Sequence, residues 1–192
     1  MQIIRAGSCR VTPWKNGGGS TTEIAVSPKG ATFDDFDWRI SMACVGSDGP
    51  FSIFPQIDRT LAVLSGRGMI LTIDGRDPVT LTPESQPVAF PGDVPTSAEL
   101  VAGDILDLNV MTRRGRFTHR LQRVAATATF DFDEWEIAVV LSVKGRVQLT
   151  GGAETFELSG GDAAVLHKAT TSSFALHLSH DCDCYLAWLR PA

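Results

Sequence analysis

The chain has 192 residues, 43% of them apolar, with 17 basic and 22 acidic side chains and a formal net charge of −5. That length and apolar content support a sizeable core in one double domain or two small ones, and the acidic balance disfavours nucleic acid and anionic membranes as partners. No segment approaches the roughly 20 apolar residues of a membrane span, and the start, MQIIRAGSCR, lacks the apolar stretch of a secretory signal, so a soluble, cytoplasmic protein is expected.

The first distinctive string is Trp14-Lys15-Asn16-Gly17-Gly18-Gly19-Ser20-Thr21-Thr22-Glu23-Ile24. Successive glycines free the backbone and expose its amides, which suits either a flexible turn or an anion-facing loop. A phosphate loop would need a strand before it and a helix after it, and neither is evident. Trp14 beside this loop reads as a lid on a core or as a stacking platform. Short β-branched and apolar runs then follow at Glu23–Val26, Trp38–Val45, Thr60–Leu64, Met69–Ile73, Ile105–Met111, Ile137–Val143 and Arg146–Leu149, separated by Gly, Pro, Asp and Ser. This punctuation predicts an all-β sandwich or barrel without a long helix. Residues 113–130 read as a bridge between halves plus a strand. The tail carries His177, His180, Cys182 and Cys184, but alternation along a strand would turn His177 away from the two thiols, so a turn at Ser179–Asp181 before a last strand CYLAWL is favoured over a zinc site. The four cysteines are expected to be reduced.

Residues 61–75, LAVLSGRGMILTIDG, align without a gap to 138–152, AVVLSVKGRVQLTGG, with Val63/Val140, Leu64/Leu141, Ser65/Ser142, Gly68/Gly145 and Gly75/Gly152 identical. Each copy is followed by a Gly-Asp pair, Gly92-Asp93 and Gly161-Asp162. Two copies at one long interval indicate a duplicated β-domain rather than a solenoid. The expected division is a first half over 1–115 and a second, eroded half over 116–192.

A cupin-type jelly roll unites these features. Its first motif, G(X)5HXH(X)4E(X)6G, is matched in frame by Gly46, Ser52, Phe54, Arg59 and Gly66, yet all three metal ligands are replaced. A guanidinium in place of a metal-binding carboxylate reverses the local charge and offers a planar fork of donors for a carboxylate or phosphate. No metal and no cofactor are expected. In the second copy a lone His167 reads as structural. Strand alternation puts Asp107, Asn109 and Met111 on one face, and Arg39 with Ser41 on one face opposite Trp38 and Ile40, while Glu23 alternates with Ile24. Polar residues so arranged either face solvent or line a cavity; Asn109 would give a ligand both a donor and an acceptor. Of the arginines after this strand, Arg113 rather than Arg114 is expected nearer the pocket.

The blocks WKNGGGSTTEI, FDWRIS at 36–41, GPFSIFPQIDRTLAVLSGRG at 49–68 and DLNVMTRRG at 107–115 resemble the signature of the HutD/Ves family. The resemblance implies a bicupin, two tandem RmlC-like jelly-roll barrels, and an association with bacterial histidine utilisation. The leading expectation is a metal-independent protein binding a small carboxylate, such as urocanate or formylated glutamate. Arg59 would hold it, with Arg39, Lys15, Asn16, Asn109, Glu23, Trp14, Ser52 and Arg113 as further candidates. Two readings stand beside it: a metal-free isomerase or hydrolase with Glu23 as base and Lys15 as acid, and a non-catalytic interaction protein whose second half leaves room for a homodimer.

Overall fold

A computed structural model describes residues 1–192 and is built almost wholly of strands, β1 (Gln2–Ile4), β2 (Arg10–Pro13), β3 (Gly19–Ser27), β4 (Trp38–Val45), β5 (Gly49–Pro50), β6 (Ile57–Ser65), β7 (Met69–Ile73), β8 (Val79–Leu81), β9 (Val88–Pro91), β10 (Thr96–Leu100), β11 (Ile105–Arg113), β12 (Phe117–Val124), β13 (Ala128–Asp131), β14 (Ile137–Lys144), β15 (Arg146–Gly151), β16 (Glu154–Ser159), β17 (Ala163–His167), β18 (Ser173–Leu178) and β19 (Asp183–Pro191). A single 3-10 turn, Ala6–Ser8, follows β1, and no helix is long and apolar enough to cross a membrane.

The strands form two compact units, one of Arg10–Thr118 and the other of Met1–Cys9 with His119–Ala192. In the first, sheets run in the order β2-β3-β4-β11-β6-β9 and β5-β10-β7-β8; in the second, β1-β17-β14-β19-β12 and β13-β18-β15-β16. Strands β4 to β11 and β12 to β19, each renumbered one to eight, give the same two orders, 1-8-3-6 and 2-7-4-5. That is a jelly roll, written twice in one chain. The 61–75 and 138–152 repeat falls on β6–β7 and β14–β15, equivalent strands of the two rolls. The repeated glycines have a backbone cause. Gly68 and Gly145 turn the chain between those strands with φ of +102° and +75°, and a Cβ would lie 2.3 Å from the Leu81 carbonyl oxygen at the first and 2.8 Å from Cys182 Cα at the second.

Two sequence expectations change. The first nine residues belong with the C-terminal unit, because β1 adds to the edge of β17 and Asp162 accepts hydrogen bonds from the Arg5 guanidinium at 2.7 Å and the Ala6 N–H at 2.9 Å. The division therefore follows this strand pairing rather than a cut near residue 115. The two Gly-Asp pairs are not equivalent either, since Gly92-Asp93 follows β9 whereas Gly161-Asp162 precedes the corresponding β17.

Central strands β6, β14 and β19 are buried on both faces and so read as continuous apolar runs, whereas β7 alternates, with Met69, Leu71 and Ile73 inward. The second roll is filled: Phe132, Phe174 and Trp188 meet at ring-centroid distances of 5.6 and 5.7 Å among Val140, Leu149 and Leu176. The first roll packs Leu61, Val63, Leu71, Ile73, Phe90 and Ile105 in one cluster and Phe36, Ile57 and Met111 in a second.

Candidate functional site

Cross-strand pairing places the candidate side chains on a grid over one face of the six-stranded sheet, since directly opposed residues point the same way. Arg39 of β4 and Arg59 of β6 flank Met111 of β11, with Phe90 of β9 beyond Arg59. In the next row Glu23 of β3, Ser41, Asn109 and Leu61 lie side by side, and in the next Ala43, Asp107 and Val63. A bulge between Glu23 and Ala25 keeps Glu23 on this face. The polar residues that alternation left between solvent and cavity thus face inward. Arg39, Arg59 and Asp107 are only 7%, 6% and 3% exposed.

The two guanidiniums differ in what they touch. Arg39 donates from Nε to Glu23 Oε2 at 3.0 Å and from Nη1 to Ser41 Oγ at 3.1 Å, and the Phe33 ring lies 4.8 Å from its guanidinium carbon. Arg59 is encircled by the rings of Phe51, Phe90 and Phe54, at 4.9, 5.2 and 5.6 Å, and its Nε–H is buried without an acceptor. Phe33 and Phe54, on different loops, also touch each other with centroids 5.6 Å apart. On the same face Asp107 Oδ1 and Asn109 Oδ1 are buried and unpartnered too. Buried polar atoms are nearly always paired, so three orphans on one face mark a place built for something polar to enter.

Burial sets the ionisation here. It pulls the Arg59 guanidinium down to about 10 from its ordinary value, with Arg39 adding to the fall and Asp107 opposing it. It pushes the Asp107 carboxyl up to about 7, against the attraction of Arg59. Arg59 stays charged at neutral pH, while Asp107 is poised to gain or lose a proton.

Other expected site residues lie elsewhere. Lys15 and Asn16 occupy the turn between β2 and β3, next to Gly19, which pairs with Val45 six residues along β4 from Arg39. At about 3.3 Å per residue that is about 20 Å away, so these two side chains stand apart from Arg59, contrary to expectation. A strand does precede the glycine run, but a strand follows it, and the run is a tight corner. Trp14 N–H donates to the Gly19 carbonyl, Gly17 N–H to the Trp14 carbonyl, and Trp14 Nε1 to Thr21 Oγ1 at 2.8 Å, with the indole packed on the core. Trp14 is a lid on that core. Arg113 is committed to backbone, donating to the Phe36 and Asp34 carbonyl oxygens at 2.9 and 2.8 Å, and so fastens the β3–β4 loop. Arg114 chelates Asp93 and Asp58. Ser52 is exposed between Phe51 and Phe54.

Sequence reasoning passed over Asp107 as a site residue and missed the aromatic ring around Arg59; inward alternation of β11 signalled the first, and only the packing of loop 51–56 and of Phe90 on β9 shows the second. The cupin metal seat does not fit this chain. Its frame positions bring a guanidinium, an aromatic ring and an exposed hydroxyl, and a guanidinium has no lone pair to give. No group of three or more His, Cys, Asp or Glu side chains is placed to hold a metal ion. The second roll lacks even the polar face: through pairing with Val63/Val140 and Leu61/Ala138, Asp107 and Asn109 correspond to Leu186 and Trp188.

Comparison with known proteins finds relatives along most of the chain. A 21.2 kDa protein from the hutC 3′ region of Pseudomonas putida is 35% identical over 170 residues, 84% of this chain and 88% of that one, and Protein Ves of Cronobacter sakazakii is 39% identical over 150 residues, 78% and 80% of the two chains. HutD from Pseudomonas fluorescens SBW25, whose structure is described as a formate condition, superposes with a TM-score of 0.85 at 32% identity, covering 100% of this chain and 98% of that one. A cupin 2 conserved barrel domain protein from Leptotrichia buccalis, 11% identical with a TM-score of 0.56 over 90% of this chain and 88% of that one, shares the fold alone. The HutD family model spans residues 6–186, and the chain belongs to the HutD family.

Proposed function

We propose that the first jelly roll binds a small carboxylate without the help of a metal, and that this occupancy modulates histidine utilisation in the cytoplasm. The observation that carries the reading is the buried Arg59 guanidinium, ringed by phenylalanines, with an unpartnered Nε–H. Its planar donors match a carboxylate, and the dry aromatic wall strengthens the attraction relative to water. Asn109 supplies an amide that donates to an anion through its NH2, and Ser41 and Glu23 hold Arg39 in place behind it. Glu23, tied to Arg39, acts here as a positioning residue rather than as a base.

The family name and the hutC-region relative support the connection with histidine breakdown, whose carboxylate intermediates urocanate and formylated glutamate are the ligands we favour. Calorimetric titration and thermal melting with urocanate, N-formylglutamate and formate provide the test. Saturable heat and a concentration-dependent rise in melting temperature that Arg59→Met removes would support the reading; absence of both at millimolar concentrations of all three would overturn it.

A further inference from the structure

We propose that the anion enters this site together with a proton carried by Asp107, so that a carboxyl buried in the sheet governs both the pH range of binding and the charge of the ligand accepted. The inference rests on the reading of Arg59 as the anion seat and adds a second partner to it.

Charge and hydrogen-bond inventory lead to it. Glu23 neutralises Arg39 at 3.0 Å, which leaves Arg59 as the guanidinium of this face without a carboxylate at ion-pair distance. The two other orphaned atoms, Asp107 Oδ1 and Asn109 Oδ1, are both acceptors when Asp107 is ionised. A carboxylate ligand is also acceptor-only. An ionised Asp107 would therefore meet the anion oxygen to oxygen, with repulsion and no hydrogen between them. A protonated Asp107 instead brings an O–H that donates to the ligand or to Asn109 Oδ1, and one added proton turns the face from acceptor-rich to anion-receptive.

No other group near Asp107 can take this role. The neighbouring strands present Arg59 on β6, Arg39 on β4 and Glu23 on β3, and the paired side chains on either side are Ala43 and Val63. The inner face of the opposing sheet offers Met69, Leu71, Ile73, Leu81 and Ala98, all apolar. The Arg59 guanidinium remains charged through neutrality, and Glu23 is already paired with Arg39. Burial, which holds the Asp107 carboxyl near neutrality, puts the exchange within the working range of a cell. The approaching anion raises its proton affinity further, as a like charge does in any shared carboxylate site.

The consequence for selectivity is a preference for monoanions, so that of the two ligands favoured above urocanate, with one carboxylate, should bind more tightly than N-formylglutamate, with two. With Arg39 neutralised and Asp107 protonated, the face carries a single net positive charge, and a second carboxylate would need a cation that the face does not supply.

The probe is formate, which stays a monoanion from pH 6 to pH 8. If only the protonated form of Asp107 accepts the anion, the dissociation constant rises about tenfold between pH 6 and pH 8, and calorimetry in Tris and HEPES at pH 8 shows uptake of about 0.9 proton per formate bound. The Asp107→Asn variant, neutral at every pH, should bind with a flat pH profile and no buffer dependence; if it fails to fold, the buffer dependence of the unsubstituted protein decides alone. Tight binding with no proton uptake and no pH dependence would overturn the role of Asp107 and leave the anion seat standing. Absence of formate binding even at pH 6, with urocanate and N-formylglutamate also silent, would overturn the seat itself and this inference with it.

Discussion

Arg59→Met should make the empty protein more stable while abolishing its affinity for anions. Arg59 is 6% exposed, and burial holds its guanidinium at about 10, well below its ordinary value. That depression amounts to roughly 3 kcal/mol of charge burial. A depressed base costs stability at every pH below its folded value, and relief comes only as pH rises through about 10, so the full cost is present at neutrality. Attraction to the rings of Phe51, Phe54 and Phe90 offsets about 1–2 kcal/mol of it. Methionine keeps the length, fills the same aromatic sleeve and makes sulfur contacts of its own. The net gain is about 1–2 kcal/mol, or roughly 2–8 °C in melting temperature for a chain of this size. Melts should be run at pH 6, where Asp107 is mostly protonated and loss of Arg59 leaves no buried carboxylate behind. Anion at a hundredfold excess over its dissociation constant then stabilises the unsubstituted protein by about 2.7 kcal/mol and leaves the variant unmoved. A variant that melts several degrees lower without ligand, or one that anion stabilises equally, would refute the reasoning, because Arg59 would then be a satisfied structural group.

Asp107 gives a second stability signature. Its folded value of about 7 lies above that of the unfolded chain, so its contribution is largest in acid and is lost as pH rises toward 7; between pH 5 and pH 7.5 denaturant titrations should show the unsubstituted protein losing about 2–3 kcal/mol that Asp107→Asn retains. Gly19→Ala places a Cβ 2.3 Å from the Cys44 carbonyl oxygen and 3.0 Å from the Trp14 ring, so the β3–β4 pairing must part; soluble yield should collapse, or the melt fall by more than about 3 kcal/mol. Arg113→Ala frees the Phe36 and Asp34 carbonyls and should increase proteolytic cutting within residues 28–37, at a stability cost of about 1–2 kcal/mol. Asp162→Ala removes the acceptor for Arg5, Ala6 N–H and Ser159 N–H, so amide exchange over residues 2–6 should accelerate and stability fall by about 1–3 kcal/mol.

Much of this arrangement was legible in the letters. Strand positions followed from β-branched runs between turn residues, and the duplication from glycines whose left-handed φ or close neighbours admit nothing larger, as at Gly68 and Gly145. The inward face of β11 followed from period-two alternation, and Arg59 from a motif frame that fixes position without fixing chemistry. The sites of Lys15, Asn16, Trp14 and Arg113 did not follow, because nearness in sequence to a glycine run or to a strand end says nothing about which end of a sheet that segment reaches.

What the sequence determined by itself is what depends on local geometry: strand and turn, the period of each face, the repeated unit and the residue standing in the old ligand frame. The tertiary structure alone decided which polar residues meet. Whether Asp107 is a surface carboxylate or a buried one near neutrality depends on β3, β4, β6 and the opposing apolar sheet closing around it. Desolvation is a property of everything within several ångströms, and those neighbours come from residues far apart along the chain.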